Sequence, residues 1–284
     1  MAADRLTYVG HATVLIEQAG VRLLTDPLLR SGIAHVRRRV PPPDLEALRS
    51  LDAVLISHAH ADHLDVPSLR RLRHVGPMIA PRGCAPSLRR AGARKVIELA
   101  VGQRCTVGSI GVEAVPADHD GRRHPLGRRI PALGFLIEGP ARIYFAGDTD
   151  LFDEMAALAG RVDLALLPIW GWGPRLPAGH LNPETAARVV ALIRPALAIP
   201  IHWGTLRSVG APSGAGPQAP ALAFAEAVAS AAPESEVRIL QPGETTELPE
   251  RLRAHTTGHG VPTPLPDGER GYKVEPCTRR PPSR

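Results

Sequence analysis

Residues 57–65 read SHAHADHLD, which puts His58, His60, Asp62, His63 and Asp65 on one short stretch of chain. Imidazole is the commonest metal-binding side chain, and carboxylate is the usual hard partner. A polar, histidine-rich surface loop is the plain alternative. The rest of the chain discriminates between the two. The cluster follows directly on the apolar run AVLIS. His119 comes after VEAVPA, Asp148 after RIYFAG, and His202 after LAIPI. Four apolar runs with strand character thus each deliver a ligand-type residue at their carboxyl end, the edge on which layered α/β proteins build sites. His58, His60, Asp62, His63, His119, Asp148 and His202 are seven nitrogen and oxygen donors. One tetrahedral ion cannot use them all, whereas two ions sharing a carboxylate can. A donor set without sulfur favours two Zn2+, with Mn2+ or Fe2+ remaining open.

The elements that must hold these residues are legible in outline. LTYVG and ATVLIEQAGVRLLTD read as an N-terminal meander turning at Ala19-Gly20. DAVLIS, PMIAP and KVIEL are strands, with helices expected over DVPSLRRLRHV and APSLRRAG. RCTVGSIGVEAVPA and ALGFLIEGPARIYFAG are hairpins turning at Gly108-Ser109 and Gly139-Pro140. LFDEMAALAG is expected to be helical, DLALLPI and ALAIPI are strands, PALAFAEAVASAA is a helix and EVRILQ a last strand. Asn182 followed by Pro183 marks a helix start in NPETAARVVALIRP. Hairpins at the front of each half and strand–helix alternation elsewhere predict a layered α/β protein with mixed sheets. Residues 30–43 and 207–220 read as loops, and from about residue 249 the apolar periodicity stops, so 249–284 is expected to be an irregular tail behind a domain of residues 1–248.

Composition excludes several classes. The chain has 284 residues, 44% hydrophobic but only 4% aromatic, so the core must be largely aliphatic. The polar start MAADRLTYVG has no signal-type apolar stretch, and no run reaches a membrane span; the expected location is cytoplasmic. Cys84, Cys105 and Cys277 form no C-x-x-C pair and suggest neither a disulfide framework nor a thiolate site. The net charge is +6, and basic runs at 37–39, 70–73 and 121–129 are candidates for attracting an anionic substrate.

HAHADH is an H-x-H-x-D-H motif, and with it come GHATVLIEQAGVRLLTDP, FAGDTD, HLNPETA and IPIHWGT, in that order. Together these resemble the metallo-β-lactamase fold superfamily, in the branch containing L-ascorbate-6-phosphate lactonase and N-acyl phosphatidylethanolamine phospholipase D. The resemblance covers residue 5 to about 245. It implies a four-layered αββα sandwich, two mixed sheets flanked by helices. It implies that His58, His60 and His119 bind a first metal, that Asp62, His63 and His202 bind a second, and that Asp148 bridges them. His11 and Asp26 would orient ligands by hydrogen bonding. PADHDGRR around His119 departs from the usual Gly-His-Thr phrase, which argues against glyoxalase II and the true β-lactamases.

The expected activity is that of a dinuclear hydrolase in which a metal-bound hydroxide attacks an ester, lactone or phosphodiester of a small, anionic molecule. Asp62 and His180 are the expected catalytic side chains. His180 precedes the helix beginning at Pro183, whose N-terminus is expected to keep the ring neutral and able to donate to a developing oxyanion; a plain loop histidine is the alternative. Trp170 and Trp172 either line the pocket or pack, and His35, His74, His124, His255 and His259 read as surface residues. A metal-dependent nuclease is the rival enzyme, though no nucleic-acid-binding stripe is visible and no nucleic-acid partner is expected. A non-catalytic metal-binding protein on the same fold is the rival outside enzymes. An oligomer is compatible with everything above.

Overall fold

The computed structural model describes residues 3–73, 75–123, 127–171, 176–210, 216–253 and 274–275. In chain order the strands are β1 (Arg5–Gly10), β2 (Thr13–Gln18), β3 (Val21–Thr25), β4 (Gly32–Ile33), β5 (Val36–Arg38), β6 (Ala53–Leu55), β7 (Met78–Pro81) and β8 (Val96–Leu99). The second half supplies β9 (Arg104–Val107), β10 (Ile110–Asp120), β11 (Pro131–Glu138), β12 (Arg142–Phe145), β13 (Leu164–Pro168), β14 (Leu197–Ile201), β15 (Leu206–Ser208), β16 (Glu236–Val237), β17 (Thr245–Glu247) and β18 (Val274–Glu275). The helices are α1 (Val66–Leu69), α2 (Ala85–Arg90), α3 (Pro183–Ile193) and α4 (Ala219–Ala231).

Two large mixed sheets result, one ordered β17-β1-β2-β3-β6-β7-β8 and one ordered β16-β14-β13-β12-β11-β10-β9-β18. In each, an antiparallel meander passes into a parallel run, as the hairpin and strand–helix patterns predict. The period of two along each strand sorts side chains between faces. Val14, Ile16, Leu23, Ala53, Leu55 and Ile79 of the first sheet face inward, in one core with Val112, Phe135, Ile143 and Leu166 of the second. Leu15, Leu24, Val54, Met78 and Ala80 face outward, where Leu69 of α1 and Leu88 of α2 cover them. The outer side of the second sheet is covered by α3, through Ala186, Val189, Val190 and Ile193, and by α4, through Phe224 and Val228. Helix, sheet, sheet, helix is the four-layered αββα order. Each fully buried Leu, Ile, Val or Phe contributes about 1.5–3 kcal/mol. The scarce aromatics are spent here too, with Trp203, Tyr8, Tyr144, Phe135, Phe145 and Phe224 among the largest fully buried side chains.

Local chemistry explains the better predictions and the corrections. The α3 start is a capping box: Thr185 N–H donates to Asn182 Oδ1 at 2.8 Å, with Pro183 at the first position. The stretch after His63 forms only four helical residues, capped by Asp65, which accepts from Ser68 N–H at 3.0 Å and Ser68 Oγ at 2.6 Å and pairs with Arg30 at 2.8 Å. LFDEMAALAG forms a 3-10 turn over Asp153–Leu158 rather than an α-helix. The expected loop over 30–43 contains β4 and β5, which join β15 in a small third sheet. Leu252 is buried in the main core, four residues beyond the boundary expected at 248, and β18 pairs with β9. His74, His124, Trp172, His255, His259 and Cys277 lie outside the described residues.

Candidate metal centre

The parallel strands of both sheets end at one rim, and two backbone hydrogen bonds tie the sheets together there. Leu133 N–H, in β11, donates to Ser57 O at 2.9 Å, and His202 N–H donates to His11 O at 2.8 Å. Gly147, just before Asp148, sits at φ +62°, and a Cβ on it would stand 2.6 Å from Ser57 Cβ. The close approach of the two sheets therefore requires glycine. Three other residues at the rim, His11 (φ 58°), Asp26 (φ 32°) and His202 (φ 64°), adopt left-handed backbone that side chains ordinarily avoid. Such conformations persist only where the surroundings over-determine them, and they cluster at functional sites. Thr205 is one such determinant, because its Oγ1 accepts from His11 N–H at 2.7 Å.

The structure brings together every residue singled out from the sequence as a metal ligand. His58 Nε2 and His119 Nε2 lie 3.0 and 3.1 Å from His60 Nδ1, so three ring nitrogens converge on one point. Beside them, Asp62, His63 and His202 form a second group with His11, their donor atoms all within 4.8 Å of one another. Asp148 lies between the groups. Its Oδ2 is 3.0 Å from His63 Nε2 and 3.9 Å from His58 Nε2, and its Oδ1 is 3.3 Å from His202 Nε2. His119 belongs to the end of β10 itself, within the register shift between Pro116 and Asp120, and not to a loop after the strand.

Hydrogen bonds behind the rings decide which nitrogen faces the centre. His63 Nδ1–H donates to Asp26 Oδ2 at 2.7 Å, His119 Nδ1–H to Gly179 O at 2.8 Å, and His202 Nδ1–H to Trp170 O at 2.7 Å. Each leaves Nε2 with its lone pair inward. His11 Nε2 lies 3.1 Å from Asp62 Oδ2, and Asp26 meets His63. These are the contacts that the orienting roles require. The buried atoms His63 Nε2, His202 Nε2 and Asp148 Oδ1 have no hydrogen-bond partner among the described residues. Buried polar atoms are rarely left so, and converging lone pairs repel one another unless a cation sits among them. The donor set therefore fits metal.

The electrostatics agree at four of the rings, His58, His60, His119 and His202. Burial, reinforced by neighbouring rings, holds His58, His60 and His119 below the usual imidazole range, and burial pushes His202 down to about 3. Burial alone would raise Asp62 and Asp148, but the surrounding histidines hold both carboxylates well below their ordinary range. Burial opposes charge on His63, yet Asp148, Asp62 and Asp26 outweigh it and raise its pKa well above the usual value.

His180 stands at the edge of this constellation, its Nε2 3.4 Å from Asp148 Oδ2 and its ring 4.8 Å from that of His119. Asp148, rather than the α3 terminus, sets the direction of its pKa. Burial lowers its pKa, but the hydrogen bond and charge of Asp148 outweigh burial, and the net shift is upward. Its Nδ1 faces the carbonyls of Pro177 and Ala178 at 3.2 and 3.3 Å.

The basic runs serve the fold more than the sequence suggests. Arg38 donates to the carbonyls of Leu28 and Val9, Arg71 to Leu29 O, and Arg122 pairs with Asp120. Arg123 donates to Ala59 O at 3.0 Å and Leu64 O at 2.9 Å, bracing the H-x-H-x-D-H loop from both ends. Arg128 and Arg129 remain exposed on the approach to β11. Sequence reasoning missed Ser57, Thr205, Arg123 and the carbonyls of Trp170 and Gly179. Ser57 left a trace, as the polar end of an apolar run; a backbone carbonyl leaves none.

The profile of a beta-lactamase superfamily domain matches residues 21–203. The chain belongs to that family. It is 34% identical over 255 residues to a UPF0173 metal-dependent hydrolase of Opitutus terrae, covering 86% of this chain and all (100%) of that protein. It is 33% identical over 225 residues to N-acyl-phosphatidylethanolamine-hydrolyzing phospholipase D 1 of Caenorhabditis elegans, covering 70% of this chain. The chain spans 63% of the length of that phospholipase and 62% of a mycobacterial relative that it matches at 36% identity. Among solved structures, Igni18, a metallo hydrolase from Ignicoccus hospitalis, superposes with a TM-score of 0.65 at 25% identity, over 87% of this chain and 99% of that one. The beta-lactamase superfamily fold accounts for both sheets and for the rim on which the ligands meet. No helix among the described residues is long and apolar enough to cross a membrane.

Proposed function

We propose that the protein is a dinuclear metal-dependent hydrolase acting on an ester, lactone or phosphodiester of a small, anionic molecule. The observation that carries this reading is Asp148, a carboxylate buried between two groups of donor atoms. His58, His60 and His119 would hold one ion, Asp62, His63 and His202 the other, and Asp148 would touch both. The donors suit Zn2+, and Mn2+ or Fe2+ are compatible with the same chemistry. Ions held there would supply Lewis acidity and lower the pKa of bound water. The name of the Caenorhabditis relative supports a phosphodiester or another ester-type bond.

The chain's own groups then have distinct tasks. Asp26 and His11 orient His63 and Asp62. Asp62 has the more open carboxylate, its side chain 15% exposed against 3% for Asp148, and as an ionised acceptor it can take a proton from water entering the site. His180 stands on the open side, where an Nε2–H can donate to oxygen that gains charge during reaction. Arg128 and Arg129, exposed on the approach to β11, with Arg129 close enough to act on Asp120, support an anionic substrate; the other basic-run arginines named above are committed elsewhere. The test is metal analysis of the purified full chain with a substrate panel of phosphodiesters, lactones, phospholipids, thioesters and β-lactams. Two ions per chain and turnover of an ester-type substrate are expected. One tightly held ion, or a replete protein inert to the whole panel, overturns the reading.

A further inference from the structure

Ser57 joins the two halves of the centre in a way that no ligand does. Asp26 is fully buried and has two oxygens to satisfy. Its Oδ1 accepts from Ser57 N–H at 2.7 Å. Its Oδ2 accepts from His63 Nδ1–H at 2.7 Å and from Ser57 Oγ–H at 2.5 Å. With its only proton given to Asp26, the Ser57 hydroxyl can meet His58 Nδ1, 2.9 Å away, only as an acceptor. His58 Nδ1 must then carry the hydrogen, and Nε2 must present its lone pair toward His60 and Asp148.

We propose that Ser57 is a positioning residue that extends the reach of Asp26 from His63 to His58, so that one buried carboxylate fixes the metal-facing nitrogen of a histidine in each ligand group. This rests on the two-ion reading above. The chain His58 Nδ1–H, Ser57 Oγ–H, Asp26 Oδ2, His63 Nδ1–H is continuous and closed to solvent, since all four residues are fully buried. Among the described residues the other anchors behind these rings serve one histidine each: Gly179 O holds His119, and Trp170 O holds His202. Loss of Ser57 Oγ should therefore be selective. Ser57→Ala keeps the backbone N–H that satisfies Asp26 Oδ1, and Asp26 Oδ2 keeps His63, so no buried charge is left unpartnered. What is lost is the acceptor that dictates the His58 tautomer.

The test titrates the metal-free full chain with Zn2+ by competition against a chelator, in wild type, Ser57→Ala, Ser57→Thr and Asp26→Asn. It also records the 15N shifts of the His58 ring, which distinguish Nδ1–H from Nε2–H. Wild type should bind two ions and show the Nδ1–H form of His58 before metal is added. Ser57→Ala should weaken one of the two sites by about 10–100-fold, the size expected for an outer hydrogen-bond partner. It should leave the other site unchanged and give His58 a mixture of tautomers. Asp26→Asn should weaken both sites, and Ser57→Thr, which restores the hydroxyl, should recover the wild-type isotherm. Two ions in wild type together with an unaltered isotherm or an unaltered His58 tautomer in Ser57→Ala overturn the role of Ser57 alone. Equal weakening of both sites in Ser57→Ala also overturns it, because that marks a merely structural residue. A single ion in wild type overturns the two-ion reading, and this inference with it.

Discussion

The two ligand groups of the centre are built by different means. In the group of Asp62, His63 and His202, with His11 behind it, the three rings are sealed from solvent, at 0% (His63), 2% (His202) and 1% (His11) exposure, and His11 and His202 sit on left-handed backbone, while Asp62 alone is part-exposed. His202 N–H donates to His11 O, and His11 N–H in turn donates to Thr205 Oγ1. The other group is half open: His58 is buried, but His60 and His119 are only partly so. None of its members has a left-handed backbone, and two of them, His58 and His119, are aimed by single hydrogen bonds from behind. One half is thus pre-organised by the way the two sheets meet, and the other by side-chain anchors on a loop and a strand end. His60, His119 and Asp62 are the part-exposed members of the centre, and His180 stands beside them.

The largest expected effect removes what the halves share. Asp148→Ala should lower metal content at both groups and abolish hydrolysis, beyond the roughly 10–100-fold typical of a supporting residue. Metal analysis and turnover on one sample check this, and a metal-replete, active variant would show that Asp148 is not what the halves share. Next comes the open side. His180→Ala should keep both ions and the fold while kcat falls by about 10²–10³-fold, as for a donor aimed at developing charge. Loss of metal instead would make His180 a ligand, as its grouping with His119 and Asp148 permits.

A smaller effect sharpens the sealed side. His11→Ala removes the contact that aims Asp62 and should weaken one metal site by about 10–100-fold, with the other untouched in a chelator competition. Equal loss at both sites would show that the sealed half is not a separate unit. The smallest effect concerns the mouth. If Arg128 and Arg129 steer an anion, kcat/KM for an anionic ester should fall several-fold as ionic strength rises across the range where the Debye length shrinks from about 30 to 8 Å, while a neutral ester responds less. An equal response from both substrates removes the arginines from recognition.

Much of this is legible in the sequence. The spacing in HAHADH, the apolar runs ending on His119, Asp148 and His202, and the Asn182-Pro183 helix start are local features. Periodicity and capping act within a few residues, so sequence carries them directly. What sequence could not carry is direction and distance across the fold. Nothing in LISHAH says that the Ser57 hydroxyl points at Asp26, thirty-one positions away in the chain. Nothing in PIWGWGP or LPAGH says that a carbonyl there will fix the tautomer of a histidine on another strand. The surroundings of His180 were out of reach for the same reason, because the nearest charge in space is Asp148 and not the helix that follows it in sequence. The arginine runs looked like a surface field and proved largely to be braces for buried carbonyls. Residue types and local periodicity determined which groups would stand at the strand ends. Only the closing of one sheet on the other, through Gly147 and the His11–His202 bond, decided that they would share one centre, because that packing is a sum over contacts between residues far apart in the chain.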